Sequence, residues 1–352
     1  METETLRIID VNLNRAREAL RVIEDHARFV RDDADAAGAA KRCRHDLRAI
    51  TTALGADALL AARDIVNDVG RDVKTAGELH RACVDDVVRA AFARLNEAAR
   101  VVGEYGKLVC ADAAQAMEQL RYRTYELEQR VVLRGTLRQR FRQVRLYVLL
   151  TAGLCKQSWQ ETAAAALRGG ARCIQLREKE LGNRALLDRA RELRALTAQY
   201  GALLAVNDRP DIARLAQADI VHVGHEDLTV REARQIAGAG ILVGKSTHTP
   251  AQFEAALLEE PDYVAVGPMF ESRTKQQAHV AGPQTLTAVR GQTELPIVAI
   301  GGITAANAGQ VMAAGAGCVA VCESVIGADD AEAAARALVV SVARGDDGDV
   351  DA

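Results

Sequence analysis

Between residues 14 and 30, apolar side chains recur at Ala16, Leu20, Ile23, Ala27 and Val30, three and four apart, as one buried helix face requires. The other faces carry Arg15, Arg17, Glu18, Arg21, Glu24, Asp25 and Arg28, which suits a solvated surface with pairs such as Arg21 with Asp25 and Glu24 with Arg28. Asp10, Asn12 and Asn14 stand just before this segment, and one of them is expected to cap it. The same periodicity predicts helices over 36–54, about 78–107 and 113–133. Val84, Val88, Phe92, Leu95, Ala99 and Val102 make the core stripe of the third, and Met117, Leu120 and Leu127 point inward from the fourth. Residues 61–77 read as a polar loop holding Arg63-Asp64 and Asn67-Asp68-Val69-Gly70, and the Arg-rich stretch 134–142 reads as a join between domains.

After Arg145 the pattern changes. Short apolar runs at 146–151, 172–176, 203–206, 220–223, 241–244, 262–267, 296–300 and 318–322 alternate with Ala-rich helical segments. Eight strands with helices between them, in about 200 residues, are the count and length of a (β/α)8 TIM barrel. The predicted class is therefore α/β: an all-α helical domain over 1–134, then a barrel over 144–345. A doubly wound open sheet is the alternative, but only Thr151-Ala152-Gly153 follows the first strand, where that fold often carries a longer glycine fingerprint.

Composition narrows the classes. The 352 residues are 49% hydrophobic but only 3% aromatic, so the cores are aliphatic. Up to Val144 there are 25 Lys and Arg against 23 Asp and Glu, and beyond it 20 against 25. Neither part is basic enough to point to nucleic acid. Seven scattered cysteines with no C-x-x-C spacing read as reduced, mostly buried thiols. The acidic Met1-Glu2-Thr3-Glu4 start and the lack of any run near 18 apolar residues predict a cytoplasmic protein with no membrane partner.

Candidate chemistry sits where the strands end, the face on which such barrels work. The second strand yields Gln175, Arg177 and Lys179; the third Asn207 and Asp208; the fourth His222 and then Asp227; the fifth Lys245, Ser246 and His248. The sixth leads to Ser272, Thr274 and Lys275, the seventh to Gly301-Gly302, and the eighth to Cys322-Glu323-Ser324. Two carboxylates on adjacent loops among cations suit Mg²⁺ on a diphosphate, since Mg²⁺ is commonly held by one or two carboxylates plus phosphate oxygens. Each Asp in isolation reads first as a helix N-cap, because Asp208 precedes Arg209-Pro210 and Asp227 precedes the next helix. The glycine pair would offer bare N–H groups to a phosphate, or simply make a tight turn. Gly244-Lys245-Ser246 imitates the end of a phosphate-binding loop, but Ala239 stands where that motif begins. His222, His225 and His248 lack the spacing of a zinc set.

Gln175-Leu176-Arg177-x-Lys179, Asn207-Asp208, Ala218-Asp219 through Glu226-Asp227, Ser246-x-His248-Thr249, Asp262-Tyr263-Val264-x-Val266-Gly267-Pro268 and Ala299-Ile300-Gly301-Gly302-Ile303 together resemble thiamine-phosphate synthase. The resemblance implies that Asp208 and Asp227 hold Mg²⁺. It further implies that Arg177, Lys179, Asn207, Ser246 and Lys275 bind diphosphate, with Arg177, Lys179 and Lys275 catalytic through their charge. Ser272, Thr274 and Gly302 would take the thiazole phosphate, and Gln175 would face the pyrimidine. Three stretches depart from the family pattern: Glu271-Ser272-Arg273-Thr274-Lys275 for Pro-Thr-x-Thr-Lys, His225 for a Gln, and Cys322-Glu323-Ser324-Val325 for Val-Ser-Ala-Ile. The last sets a carboxylate near a phosphate.

The first domain, with Asp10-x-Asn12-x-Asn14-Arg15, Glu24-Asp25, Arg44-His45-Asp46 and Asn96-Glu97-x-x-Arg100, is similar to a helical domain fused to such synthases and proposed to be a phosphomethylpyrimidine kinase. Its alternative is a structural or oligomerising module. Partners are then small molecules, with ATP in the kinase reading and a second copy of the chain in the oligomerising one. For the barrel, a thiazole tautomerase or a non-catalytic binding protein are the alternatives, and retention of Lys179, Asp208, Asp227 and Lys275 weighs against both.

Overall fold

In the computed structural model, residues 2–31, 33–64, 81–271 and 280–346 are described. The chain divides into two compact units, Met1–Thr136 and Leu137–Ala352.

The first unit is helical: α1 (Glu2–Phe29), α2 (Ala34–Ala53), α3 (Ala56–Ala61), α4 (Val84–Gly106) and α5 (Ala111–Glu128). Its core joins Ile9, Leu13, Leu20 and Ile23 of α1 to Leu47, Phe92, Leu95, Met117 and Leu120. α1 begins twelve positions before the predicted start, because Ile9 and Leu13 prolong the buried stripe. Asp10, Asn12 and Asn14 therefore lie inside the helix and cap nothing. Asp10 instead takes a two-pronged bond from Arg63 (2.7 and 2.8 Å). Arg21 meets Asp25 as expected, at 3.2 Å, whereas Glu24 is buried and pairs with Arg44 rather than Arg28. Asp33 caps α2 through Ala36 N (2.9 Å). The Asn67-to-Gly70 motif lies outside the described residues. The Arg-rich stretch is no open linker: a π-helical turn (Gln129–Arg134) runs into α6 (Gly135–Arg142).

The second unit is a closed, all-parallel barrel. Its strands are β1 (Leu146–Leu150), β2 (Cys173–Leu176), β3 (Leu203–Asn207), β4 (Ile220–Val223), β5 (Leu242–Thr247), β6 (Tyr263–Val266), β7 (Ile297–Ile300) and β8 (Cys318–Val321), and β1 pairs with β8 to close it. Helices α7 (Trp159–Arg168), α8 (Asn183–Gln199), α9 (Pro210–Leu215), α10 (Val230–Ala237), α11 (Pro250–Leu258), α12 (Pro283–Val289), α13 (Ala308–Ala313), α14 (Glu323–Ile326) and α15 (Ala331–Asp346) complete it.

Strand side chains alternate faces, which gives two cores. One set, including Val148, Ile174, Leu204, Val221 and Val264, packs with helix residues such as Ala166, Leu193 and Phe253. The other, including Tyr147, Leu149, Cys173, Leu203, Ala205, Ile220, Tyr263 and Val298, fills the interior together with Phe141 and Val144 from just before β1.

Two aspartates of the recognised motifs belong to this framework. Asp219, just before β4, accepts from Leu204 N (2.9 Å) and Arg194 (2.7 Å). Asp262, just before β6, accepts from Val243 N (2.8 Å), Arg138 (2.6 Å) and Arg234 (3.1 Å). Both sit at strand starts, the end opposite the chemistry. All seven cysteines are free, but only Cys43, Cys173 and Cys318 are buried and Cys83 is exposed. Among the described residues no helix is long and apolar enough to cross a membrane.

Candidate active site

A cavity of about 1010 Å³ opens at the strand ends, and Gln175, Arg177, Lys179, Asn207, Asp208, Asp227, Ser246 and Gly302 all line it. Eight predicted site residues from five strand ends are thus brought to one space. Ser272, Thr274 and Lys275 lie outside the described residues.

Neither Asp208 nor Asp227 is a helix cap. α9 begins at Pro210 behind Arg209, with no side-chain cap, and α10 is capped by Thr229, which exchanges bonds with Glu232. Asp208 holds a positive φ of 57°, and its N–H donates to His222 O (2.8 Å). Asn207 donates to its carboxylate. Asp227 accepts from Gly224 N (3.0 Å).

The Asp208 carboxyl is held above its ordinary range, first by burial and then by the negative charge of Asp227, with Lys179 pulling the other way. A buried carboxyl whose proton affinity is raised by a second carboxylate beside it makes, with that neighbour, a donor set a divalent cation would relieve. Among the described residues no third His, Cys, Asp or Glu joins them, which leaves coordination positions for substrate oxygens or water. The residues present fit Mg²⁺.

The cationic loop after β2 is buttressed by groups that sequence reasoning missed. Thr151 Oγ1 donates to Arg177 O (2.8 Å). Glu178 accepts from Ala152 N (2.8 Å) and from Arg189. Lys245, by contrast, is buried and directs Nζ to Leu228 O (3.1 Å), with Glu259 3.7 Å away.

On the opposite rim, Met269 N donates to Ile300 O (2.9 Å) and Phe270 N to Gly301 O (3.0 Å), so the loops after β6 and β7 lie backbone to backbone. Gly301 and Gly302 have φ of 101° and 66°, and a Cβ on Gly302 would overlap the carbonyls of Glu271 and Phe270. Glycine is required here by backbone angle and by space alike. Glu323 lines the same cavity at the start of α14. Beside it, burial pushes the Cys322 thiol up to about 11.

His222, 7% exposed, is pushed down to about 4 by burial, so it is neutral at pH 7. A folded pKa below the unfolded one gives stability that is complete above about pH 6.5 and is lost as pH falls towards 4. The difference amounts to about 3 kcal/mol at the acid end. Urea titrations over this range are expected to show that loss in the wild type, and a flatter profile in His222→Asn.

Residues 146–325 match the family model described as thiamine monophosphate synthase, and residues 7–130 match the ThiD2 family. The thiamine-phosphate synthase of Thermosynechococcus vestitus is 41% identical over 97% of this chain and 95% of its own length. The chain belongs to the thiamine-phosphate synthase family. Another member, from Gloeobacter violaceus, is 41% identical over 94% of each chain. A solved thiamine phosphate pyrophosphorylase from Pyrococcus furiosus superposes with a TM-score of 0.54 at 33% identity, covering 59% of this chain and 98% of that one. Membership makes the chain a transferase of thiamine biosynthesis, acting on small molecules. Arg177 and Lys179 bring two cations to the cavity of this barrel.

Proposed function

We propose that the barrel joins the diphosphate ester of 4-amino-5-hydroxymethyl-2-methylpyrimidine to 4-methyl-5-(2-phosphoethyl)thiazole, giving thiamine phosphate and diphosphate with Mg²⁺ bound. The observation that carries the reading is the close Asp208–Asp227 pair set in one cavity with Arg177 and Lys179. Asp208 and Asp227 would hold Mg²⁺, which supplies positive charge to the leaving diphosphate.

Arg177, Lys179, Asn207 and Ser246 bind and orient that diphosphate. Their fixed charges and donors stabilise it as the methylene C–O bond breaks and the electron pair departs on oxygen. The thiazole nitrogen then forms the new C–N bond with its own lone pair, so no general base is needed. Gly302 offers its backbone to the thiazole phosphate, and Gln175 faces the pyrimidine through Oε1, which is buried without a partner. Family resemblance assigns Ser272 and Thr274 to the thiazole phosphate and Lys275 to the diphosphate.

For the helical unit we propose phosphorylation of the pyrimidine monophosphate by ATP, which would make the barrel's substrate. The ThiD2 match supports this over a purely structural module.

The test is thiamine phosphate formation by the full chain from thiazole phosphate and either the pyrimidine diphosphate or the monophosphate with ATP. Product from both supports both proposals. Product from the diphosphate alone leaves the helical unit structural, and product from neither sinks the transferase reading in favour of a binding protein.

A further inference from the structure

Five side chains from five strands form one unbroken row across the barrel interior. Gln175 Nε2 lies 2.8 Å from the Tyr147 hydroxyl, which lies 3.3 Å from that of Tyr263. The Tyr263 hydroxyl is 2.9 Å from His222 Nδ1, and His222 Nε2 is 2.8 Å from Ser246 Oγ. Tyr147, Tyr263 and His222 are all buried. Their rings are fixed by packing: Phe141 stacks on Tyr263 at 4.4 Å and His222 on its neighbouring side at 5.6 Å. β5 is bare at Gly244, opposite Tyr263, where a Cβ would overlap the phenol ring.

Each hydroxyl, and the neutral imidazole, brings one proton to this row, so all the protons must run in the same direction. In one direction Gln175 donates to Tyr147, Tyr147 to Tyr263, Tyr263 to Nδ1 and Nε2–H to Ser246. That leaves Gln175 Oε1 as an unpartnered acceptor buried just beneath the cavity that Gln175 lines, and the Ser246 O–H as a donor at it. In the other direction Ser246 donates into the row, and Gln175 turns its amide N–H groups outward. A mixed row would set two donors or two lone pairs face to face in a buried place, which is strongly disfavoured. The Gln175 amide is oriented as the first direction requires, with Nε2 on Tyr147 and Oε1 unpartnered.

We propose that this row couples the two ends of the site: an anion that accepts the Ser246 proton fixes Gln175 as an acceptor and so selects a pyrimidine bearing an exocyclic amine over its oxo analogue. Tyr147, Tyr263 and His222 line the floor of the cavity and act in this scheme as positioning residues, through Gln175 and Ser246. The proposal rests on the assignment of Ser246 to diphosphate and Gln175 to the pyrimidine.

The test is equilibrium binding of 4-amino-5-hydroxymethyl-2-methylpyrimidine, and of its 4-oxo analogue, to the full chain with and without inorganic diphosphate and Mg²⁺. In the wild type, diphosphate is expected to tighten the amine about five- to tenfold and to leave the oxo compound unchanged. Tyr263→Phe and Tyr147→Phe each remove one link while keeping the ring. They are expected to abolish that coupling while diphosphate alone still binds within about twofold. Histidine ¹⁵N shifts are expected to show His222 as the Nε2–H tautomer in the wild type and as a mixture in Tyr263→Phe. Equal tightening of both pyrimidines, or full coupling in both Phe variants, overturns the proposal while leaving turnover, and hence the site assignment, intact. Absence of any turnover in the wild type fails the site assignment first.

Discussion

Asp208→Asn is expected to lower turnover by about a thousandfold while leaving the metal-free fold at least as stable as the wild type. The substitution is chosen for the backbone: φ at this position is 57°, which Asn tolerates better than Ala. It removes one negative charge from the pair that would hold the cation, so the leaving diphosphate loses its main counter-charge. The stability expectation has the opposite sign for a related reason. Burial and Asp227 raise the Asp208 pKa above its unfolded value, so its ionised form costs stability at neutral pH, and that cost fades as pH falls through the folded value. Turnover measured beside thermal melting checks both halves. A variant as inactive as expected but much less stable would make Asp208 a framework residue like Asp219.

Gly302→Ala is the second large effect. A side chain at φ 66° is strained, and its Cβ would press on the carbonyls of Glu271 and Phe270, which are backbone atoms and cannot swing aside. The expected result is a loss of about 2 kcal/mol in stability and about a hundredfold drop in kcat/KM for thiazole phosphate, with the diphosphate substrate's KM little changed. Steady-state kinetics with each substrate varied separately will show the split. Equal losses for both would mean that the glycine serves the whole barrel mouth rather than the phosphate.

The barrel was legible because its signal is local: each strand is a short apolar run, and the charged residues follow directly at strand ends. What escaped depended on partners distant in sequence. Asp10 looked like part of a helix start because the stripe was read from Ala16 and not from Ile9 and Leu13, and nothing local announced its partner Arg63, 53 positions away. Asp208 and Asp227 each read first as a cap when taken alone, and only the positions of Arg209 and Thr229 at the helix starts release them. Tyr147 and Tyr263 vanish into apolar runs. Their inward direction follows from strand alternation, but their meeting with Gln175 and His222 needs the register of strands on different sides of the barrel. Lys245, which imitates a phosphate-loop lysine in sequence, is turned away to Leu228 and Glu259.

The central claim is that a divalent cation on Asp208 and Asp227 carries the charge of the departing diphosphate. The most direct test is a Mg²⁺ titration of thiamine phosphate formation by the full chain, supplied with the pyrimidine diphosphate and thiazole phosphate after chelation. The account expects no turnover without the cation, a saturable rise as Mg²⁺ is added, and no such rise in Asp208→Asn. Turnover that persists at the full rate in chelator would contradict it.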